Sequence, residues 1–401
     1  VDQVDSTRLR QDLEFIAQER TVVTALPHLQ AVKDTIETLF SEFGLQASRQ
    51  AKPLAGTYTM ENIIGRKSGL FSPEKTYLLG AHFDGVAGTD AADDNGSGTV
   101  GYLEVARILS QYEFANSLQF MGFDQEEVGL LGSIEYVLNG IQPWESIEGM
   151  INFEMIGYYD PAPNTQQLPP GFDLLFPQLY NEVAADGFRG NFLINVANVA
   201  SNPLRLTFDS CAQAYVPELL VRSLAAPGNS ELAPDLRRSD HAPFWDNGNQ
   251  ALMITDGAEY RNPFYHSPAD SIGTLNFTFM HQIVKAAVAT LATMAKPLHA
   301  DVSITEIEGG VIDAMPPIMG NCGLSYQQSG SDLRLSLAHP NCRNRDWKLE
   351  LYNLQGQLIH QQIWPQAVST LDLASQALSP GVYLWQLSGE GESFGKKILL
   401  H

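Results

Sequence analysis

Residues 77–98 read YLLGAHFDGVAGTDAADDNGSG, and the fold is decided there. Tyr77-Leu78-Leu79 is a short apolar run that fits a buried strand. It opens into a loop rich in glycine and aspartate, and a helix is expected from about Thr99 to Gln111. A strand, a polar loop and a helix in that order form the basic unit of an α/β sheet. The loop also carries chemistry. His82 supplies a neutral imidazole suited to a metal, and Asp84, two residues on, can fix its tautomer from the same side of an extended chain. Asp94, in a glycine-rich turn before the helix, can offer one oxygen to each of two metals.

The same alternation continues outward. Leu118 to Phe123, Met150 to Phe153 and Ala251 to Thr255 are further strand candidates. Residues 7–43 read as helical from apolar residues at three- and four-residue steps, with Gly44 as C-cap. A short helical stretch is expected near Gly132 to Leu138, and Phe277 to Ala295 reads as a long amphipathic helix. Together these give an α/β fold with a largely parallel or mixed sheet. Its chemistry lies past the strand ends, where open α/β sheets bind ligands.

Glu126 and Glu127 follow the second strand in QEEVG. Neighbouring side chains diverge, so one carboxylate can bind a metal while the other takes a proton from water. Glu154 ends the third strand in NFEMIG, where an unpaired carboxylate among apolar neighbours would be costly. His266, in RNPFYHSPAD, completes a set of two histidines and three carboxylates, enough for two metals with Asp94 shared. His241, in Ser239-Asp240-His241, is a rival histidine and is read as supporting rather than ligating.

Beyond about Pro297 the pattern changes. Pro316-Pro317 and Gly320 to Gly330 resemble a linker. Leu333-Leu335-Leu337, Leu349-Leu351, Leu358 to Ile363, Val382-Leu384-Gln386 and Ile398 to Leu400 then alternate between turn signals, as in a small β-sandwich. The expected organisation is a catalytic domain over 1–300, a linker over 301–331 and an all-β module over 332–401.

The chain has 401 residues and a formal net charge of −22. Asp and Glu outnumber Lys and Arg 37 to 18 in residues 1–301, and 9 to 6 in the remainder. Such acidity argues against nucleic acid, whose binding needs clustered cations. No apolar run approaches the roughly 18 residues of a membrane helix. The three cysteines form no CxxC pattern; Cys322 and Cys342 could pair and leave Cys211 free.

In order, these segments resemble the di-zinc aminopeptidase family of the secreted bacterial leucyl aminopeptidases. The likeness runs from about Leu9 to Ala295 and includes Glu61-Asn62-Ile63-Ile64-Gly65. It implies a three-layer α/β sandwich with a mixed central sheet, acting on peptide substrates. It also implies two Zn2+ ions held by His82, Asp94, Glu127, Glu154 and His266, with Asp94 bridging. Asp84 would orient His82, and Glu126 would be general base to a metal-activated water. Many members carry aspartate where this chain has Glu154. Tyr260, Arg261 or Tyr265 would line the pocket or stabilise an oxyanion. Glutaminyl cyclases and carboxypeptidases use the same scaffold, as do non-catalytic binding ectodomains.

The end of the chain, from about Asp332, resembles the sorting domain of type IX secretion cargo. The matching residues are Leu351 to Leu358, Pro380 to Leu384 and Lys396 to Leu399; His339-Pro340-Asn341-Cys342 matches the usual start only in part. This implies a secreted or cell-surface protein, a signal peptide already removed and a partner in the secretion machinery.

Overall fold

The structure is a computed structural model. It describes residues 1–298 except 55 and 57, together with 324–329, 332–337, 346–353, 358–366, 368, 370–373, 381–389 and 392–400. The chain forms two compact units. Val1–Ser68, Lys75–Tyr112 and Ser117–Lys296 make the first; Gly69–Glu74, Glu113–Asn116 and Pro297–His401 make the second.

The first unit begins with α1 (Ser6–Ile16) and α2 (Leu26–Glu42), so the single helical stretch expected over residues 7–43 is two helices. Asp5 caps α1 by accepting from Thr7 N and Arg8 N. Pro27 sits in the first turn of α2, where its missing N–H costs nothing. The segment between them carries Arg20, which is fully buried.

An eight-stranded sheet follows, made of β1 (Gln46–Pro53), β2 (Thr59–Lys67), β3 (Ser72–His82), β4 (Asn116–Phe123), β5 (Ser146–Glu154), β6 (Leu193–Asn198), β7 (Val221–Ala226) and β8 (Ala251–Thr255). Their order is β1-β2-β4-β3-β5-β8-β6-β7. β3, β5 and β8 run parallel, β6 runs antiparallel to β8, and β1 and β2 pair antiparallel, so the sheet is mixed. β1 was not foreseen because its sequence, QASRQAKP, is polar. It forms at the sheet edge with mostly exposed or half-buried residues, where alternation needs no apolar face.

Helices cover both faces. α3 (Gly98–Leu109) packs with α1 and α2, α9 (Phe277–Ala295) with α1 and α3, and α7 (Asn202–Tyr215) with α9. On the other side, Leu78, Met121, Phe123, Met150 and Met253 join a core with residues of α5 (Phe172–Leu175), α6 (Pro177–Ala185) and α8 (His241–Asp246). α4 (Leu131–Glu135) packs on α8. This is the three-layer α/β arrangement expected.

Among its described residues, the second unit is built of β strands. β9 (Leu324–Ser329), β10 (Asp332–Leu337) and β13 (Thr370–Leu373) form one antiparallel sheet; β11 (Trp347–Asn353), β12 (Leu358–Trp364), β14 (Gly381–Gly389) and β15 (Glu392–Leu400) form another. Trp347, Leu349 and Leu351 are buried on alternate positions of β11. Leu324–Ser329, read above as linker, is a strand paired with β10: its polar LSYQQS gives little apolar signal, and the pairing partner supplies the order. Cys322 and Cys342 lie outside the described residues; Cys211 is free and buried.

Candidate metal centre

Strand register brings the first donors together. Gly80 pairs with Asn152, and Glu154 pairs with Thr255. Two residues beyond Gly80, His82 therefore ends β3 beside Glu154 at the end of β5, on the same sheet face. His82 Nε2 lies 3.5 Å from Glu154 Oε2. Phe83 N donates to Phe123 O, which sets the end of β4, and the Glu126-Glu127 loop after it, next to His82. Glu126 Oε2 is 3.8 Å from His82 Nε2.

Asp94 sits between the two histidines. Its Oδ1 is 3.4 Å from His82 Nε2, and its Oδ2 is 3.0 Å from His266 Nε2. Glu127 Oε2 approaches His266 Nε2 at 3.2 Å. Among the described residues, His82, Asp94 and Glu127 form one close group of donor atoms, and His82, Glu126 and Glu154 another. The six candidate ligand and base residues named from the sequence converge, with Asp84, the seventh, beside them.

Two further carboxylates hold the backbone of the donor loops. Asp84 accepts from the backbone N of Glu126 at 3.1 Å and of Glu127 at 3.3 Å. Its Oδ1 is 3.5 Å from His82 Nδ1, and its carbonyl oxygen is closer, at 3.2 Å. Asp84 thus holds the Glu126-Glu127 loop and lies beside the imidazole. Asp270 does the same for the other turn, accepting from Asp93 N at 2.9 Å and Asp94 N at 3.1 Å. Asp93 in turn accepts from Gly157 N and from Asn262 Nδ2. A Cβ on Gly157 would come within 2.8 Å of that Asp93 oxygen, so only glycine allows the approach. Ser239 donates to Glu154 Oε2 at 2.5 Å and accepts from Asn152. Sequence reasoning missed Asp270 and Ser239, although each stands close to a motif that it had marked.

The electrostatics are those of an overfilled acidic pocket. Burial, with Asp94 next, pushes Glu127 up to about 7. Burial also raises Glu126 well above the usual range despite His82, and raises Glu154. Burial works against charging His82, but the carboxylates of Glu126, Asp84, Asp94 and Glu154 outweigh it and raise its pKa. His82 Nε2 and Glu127 Oε1 are buried without a hydrogen-bond partner. Imidazole and carboxylate donors arranged this way suit zinc, which replaces the missing protons and pairs the charges.

His241 is not among them. Its Nε2 bonds Leu236 O at 2.8 Å, its ring meets Trp245 edge-on, and burial lowers it to about 4. Arg261 departs from expectation: it is buried, bonds Gln166 and lies over Phe192, behind the pocket wall. Tyr260 and Tyr265 do line a cleft that opens beside Glu154. Phe172, Phe192, Val196, Leu224 and Met253 give it an apolar wall. The Tyr265 ring stacks on His266 at 3.8 Å, and its hydroxyl accepts from Arg238.

Donors of this kind, buried together and short of positive charge, belong to a metallopeptidase that uses zinc. The lineage is explicit: the chain belongs to peptidase family M28, whose model matches residues 62–291. Residues 331–401 match a secretion system C-terminal sorting domain, in keeping with the type IX resemblance. The chain is 31% identical over 278 residues to the uncharacterized protein YfbL of Escherichia coli, covering 66% of this chain and 80% of that one. It is 29% identical to the aminopeptidase YwaD of Bacillus subtilis over 57% of this chain, but spans only 44% of that relative. In fold it is similar to an aminopeptidase from Aneurinibacillus sp. strain AM-1, with TM-score 0.58, 15% identity and coverage of 77% and 97%. It is also similar in fold to a glutaminyl cyclase of Porphyromonas gingivalis, with TM-score 0.52, 17% identity and coverage of 73% and 100%.

Proposed function

We propose that this protein is a two-zinc aminopeptidase, releasing single residues from peptide N-termini with Glu126 as general base. The observation that carries this reading is the division of the Asp94 carboxylate between His82 and His266. One zinc would be held by His82, Glu154 and Asp94, the other by His266, Glu127 and Asp94. Zinc in such a pair supplies a Lewis acid for the scissile carbonyl and makes water a nucleophile near neutral pH.

The chain's own residues do the rest. Glu126 is not needed as a ligand in this scheme, and its place beside His82 suits a carboxylate that takes a proton from water and gives it to the leaving amine. The surrounding carboxylates attract a substrate's free α-ammonium. The apolar cleft beside Glu154 accepts the side chain of the N-terminal residue. Tyr265, its hydroxyl oriented by Arg238, is placed to donate to an oxyanion.

Residues 1–300 are the catalytic part of this scheme, and the strands from Leu324 onward belong with the sorting part that would direct the protein outside or onto the cell. No helix among the described residues is long and apolar enough to cross a membrane.

The deciding experiment combines metal analysis with an aminoacyl-anilide assay. Two zinc ions per chain are expected, and Glu126→Gln should keep them while kcat falls by about 10² to 10⁴. Fewer than two zincs at saturation, or unchanged activity in the variant, overturns the reading. Cyclisation of N-terminal glutamine without hydrolysis would favour the cyclase alternative, motivated by the fold it shares.

A further inference from the structure

Arg20 lies in the segment after α1 and has no exposed surface. A guanidinium removed from water must have its donors met, or the fold bears the cost. Its five hydrogen bonds all go to backbone carbonyls. Nε donates to Phe83 O at 2.6 Å. Nη1 donates to Asp90 O at 2.8 Å, Ile16 O at 3.1 Å and Gln18 O at 3.3 Å. Nη2 donates to Ala91 O at 2.7 Å. In return, Gly85 N donates to Arg20 O at 3.1 Å.

These partners are not scattered. Phe83 lies between His82 and Asp84, and Gly85 follows them; Asp90 and Ala91 enter the turn that presents Asp94. The planar fork of one side chain therefore spans the two segments from which the centre's first donors project. The seam between them is tight. A Cβ on Gly85 would fall 2.8 Å from the Ala91 Cβ, and 3.9 Å from Arg20 Cζ. Ala91 itself takes a left-handed conformation, with φ 49, which few residues hold unless their surroundings fix it. The charge also faces the carboxylates of Asp270, Asp84, Asp94 and Glu127.

We propose that Arg20 is a positioning residue of the metal centre: it sets the separation between the strand end carrying His82 and Asp84 and the turn carrying Asp94, and through that separation sets zinc affinity without touching zinc. This rests on the two-zinc reading above. Lysine at this position keeps the charge but lacks the rigid fork that meets the two segments from different nitrogens, so charge alone does not rescue the geometry. Gly85→Ala tests the same separation by another route, because it leaves the guanidinium in place and wedges the seam.

The test uses the full chain, stripped of metal and titrated with zinc against a chromophoric chelator, alongside thermal melting of the metal-free forms. Arg20→Lys and Gly85→Ala are each expected to weaken zinc binding about 10- to 100-fold, the range usual for groups that hold ligands in place. A purely structural role would lower the metal-free melting temperature and leave zinc affinity within twofold of wild type; that result in a folded Arg20→Lys, or in a folded Gly85→Ala where the first does not fold, overturns the proposal. Loss of the fold in both variants also overturns it, since stability then accounts for Arg20. A wild-type protein that binds fewer than two zincs sinks the two-zinc reading instead, while the ratio of variant to wild-type affinity still judges Arg20.

Discussion

The carboxylate of Asp84 holds the backbone of Glu126: its Oδ1 accepts from the Glu126 amide at 3.1 Å, and its Oδ2 accepts from the next amide, of Glu127, at 3.3 Å. Asp84 is buried, so it answers two N–H groups that would otherwise lack partners at the start of the loop. Asparagine would turn one of those acceptors into a donor facing a donor. Asp84→Asn should therefore shift both glutamates together, lowering kcat/KM about 10- to 100-fold and weakening zinc. Anilide kinetics with zinc titration check this; unchanged values for both would show that the loop needs no such anchor.

Metal removal should make stability strongly pH-dependent. In the metal-free protein His266 is raised to about 10, where burial is outweighed by Asp94 and Glu127. A raised histidine stabilises the fold below its unfolded pKa, near 6.5, and that contribution is lost as pH rises toward 10. Burial raises Glu127, Asp240 and Asp270 each to about 7, so their protons, too, are lost from the fold rather than from the unfolded chain as pH climbs to 7. His241, lowered to about 4 by burial, acts in the opposite sense, but only below about 6.5. Above that pH the metal-free melting temperature should fall. Zinc holds its ligands deprotonated, so the gap between zinc-loaded and stripped protein should widen from pH 6.5 to 9. A gap that narrows in differential scanning fluorimetry would contradict the ligand assignment.

Tyr265→Phe separates stacking from donation. The ring would still lie 3.8 Å from the His266 ring, while the hydroxyl that accepts from Arg238 would be gone. Loss of one oxyanion donor typically costs about 10² to 10³ in kcat. We expect that loss with KM and zinc content little changed. A rise in KM alone would make Tyr265 a wall of the cleft and nothing more.

The cleft beside Glu154 predicts the preferred N-terminal residue. Phe192 forms part of its wall and is itself packed under two guanidiniums, with Arg222 at 4.9 Å and Arg261 at 4.7 Å from the ring centre. A wall pinned in this way is a rigid surface for a large apolar side chain. Leucyl anilide should exceed glycyl anilide in kcat/KM by about 100-fold or more, since each buried methylene contributes roughly 1 kcal/mol. Leu224→Asp, at a buried wall position, should erase most of that preference while leaving zinc binding intact. Equal rates on both substrates in the wild type would place the side chain elsewhere.

Much of this protein is legible in its residues alone. The run into His82, Glu126-Glu127 and Glu154 stand where apolar strands stop, and the Asp93-Asp94 turn stands just before a helix, because ligand chemistry at a sheet edge leaves a local mark: an abrupt change from apolar to polar residues. The parallel strands β3, β5 and β8 are visible for the same reason, their apolar runs being buried on both faces. β1 and Leu324–Ser329 are not, since polar strands owe their order to the neighbour they pair with.

His82, Asp94, Glu126, Glu127, Glu154 and His266 were thus marked by the sequence as the candidate donors, together with the α/β class that brings them to one sheet edge. The tertiary structure alone decided how they divide. It split the Asp94 carboxylate between two histidines, moved Arg261 behind the pocket wall and brought Asp84, Asp270 and Arg20 to the backbone of the ligand loops. Those contacts join residues as far apart as Asp94 and Asp270, and hydrogen bonds from side chain to distant backbone leave no pattern in spacing or composition. They arise only when the sheet closes the distance.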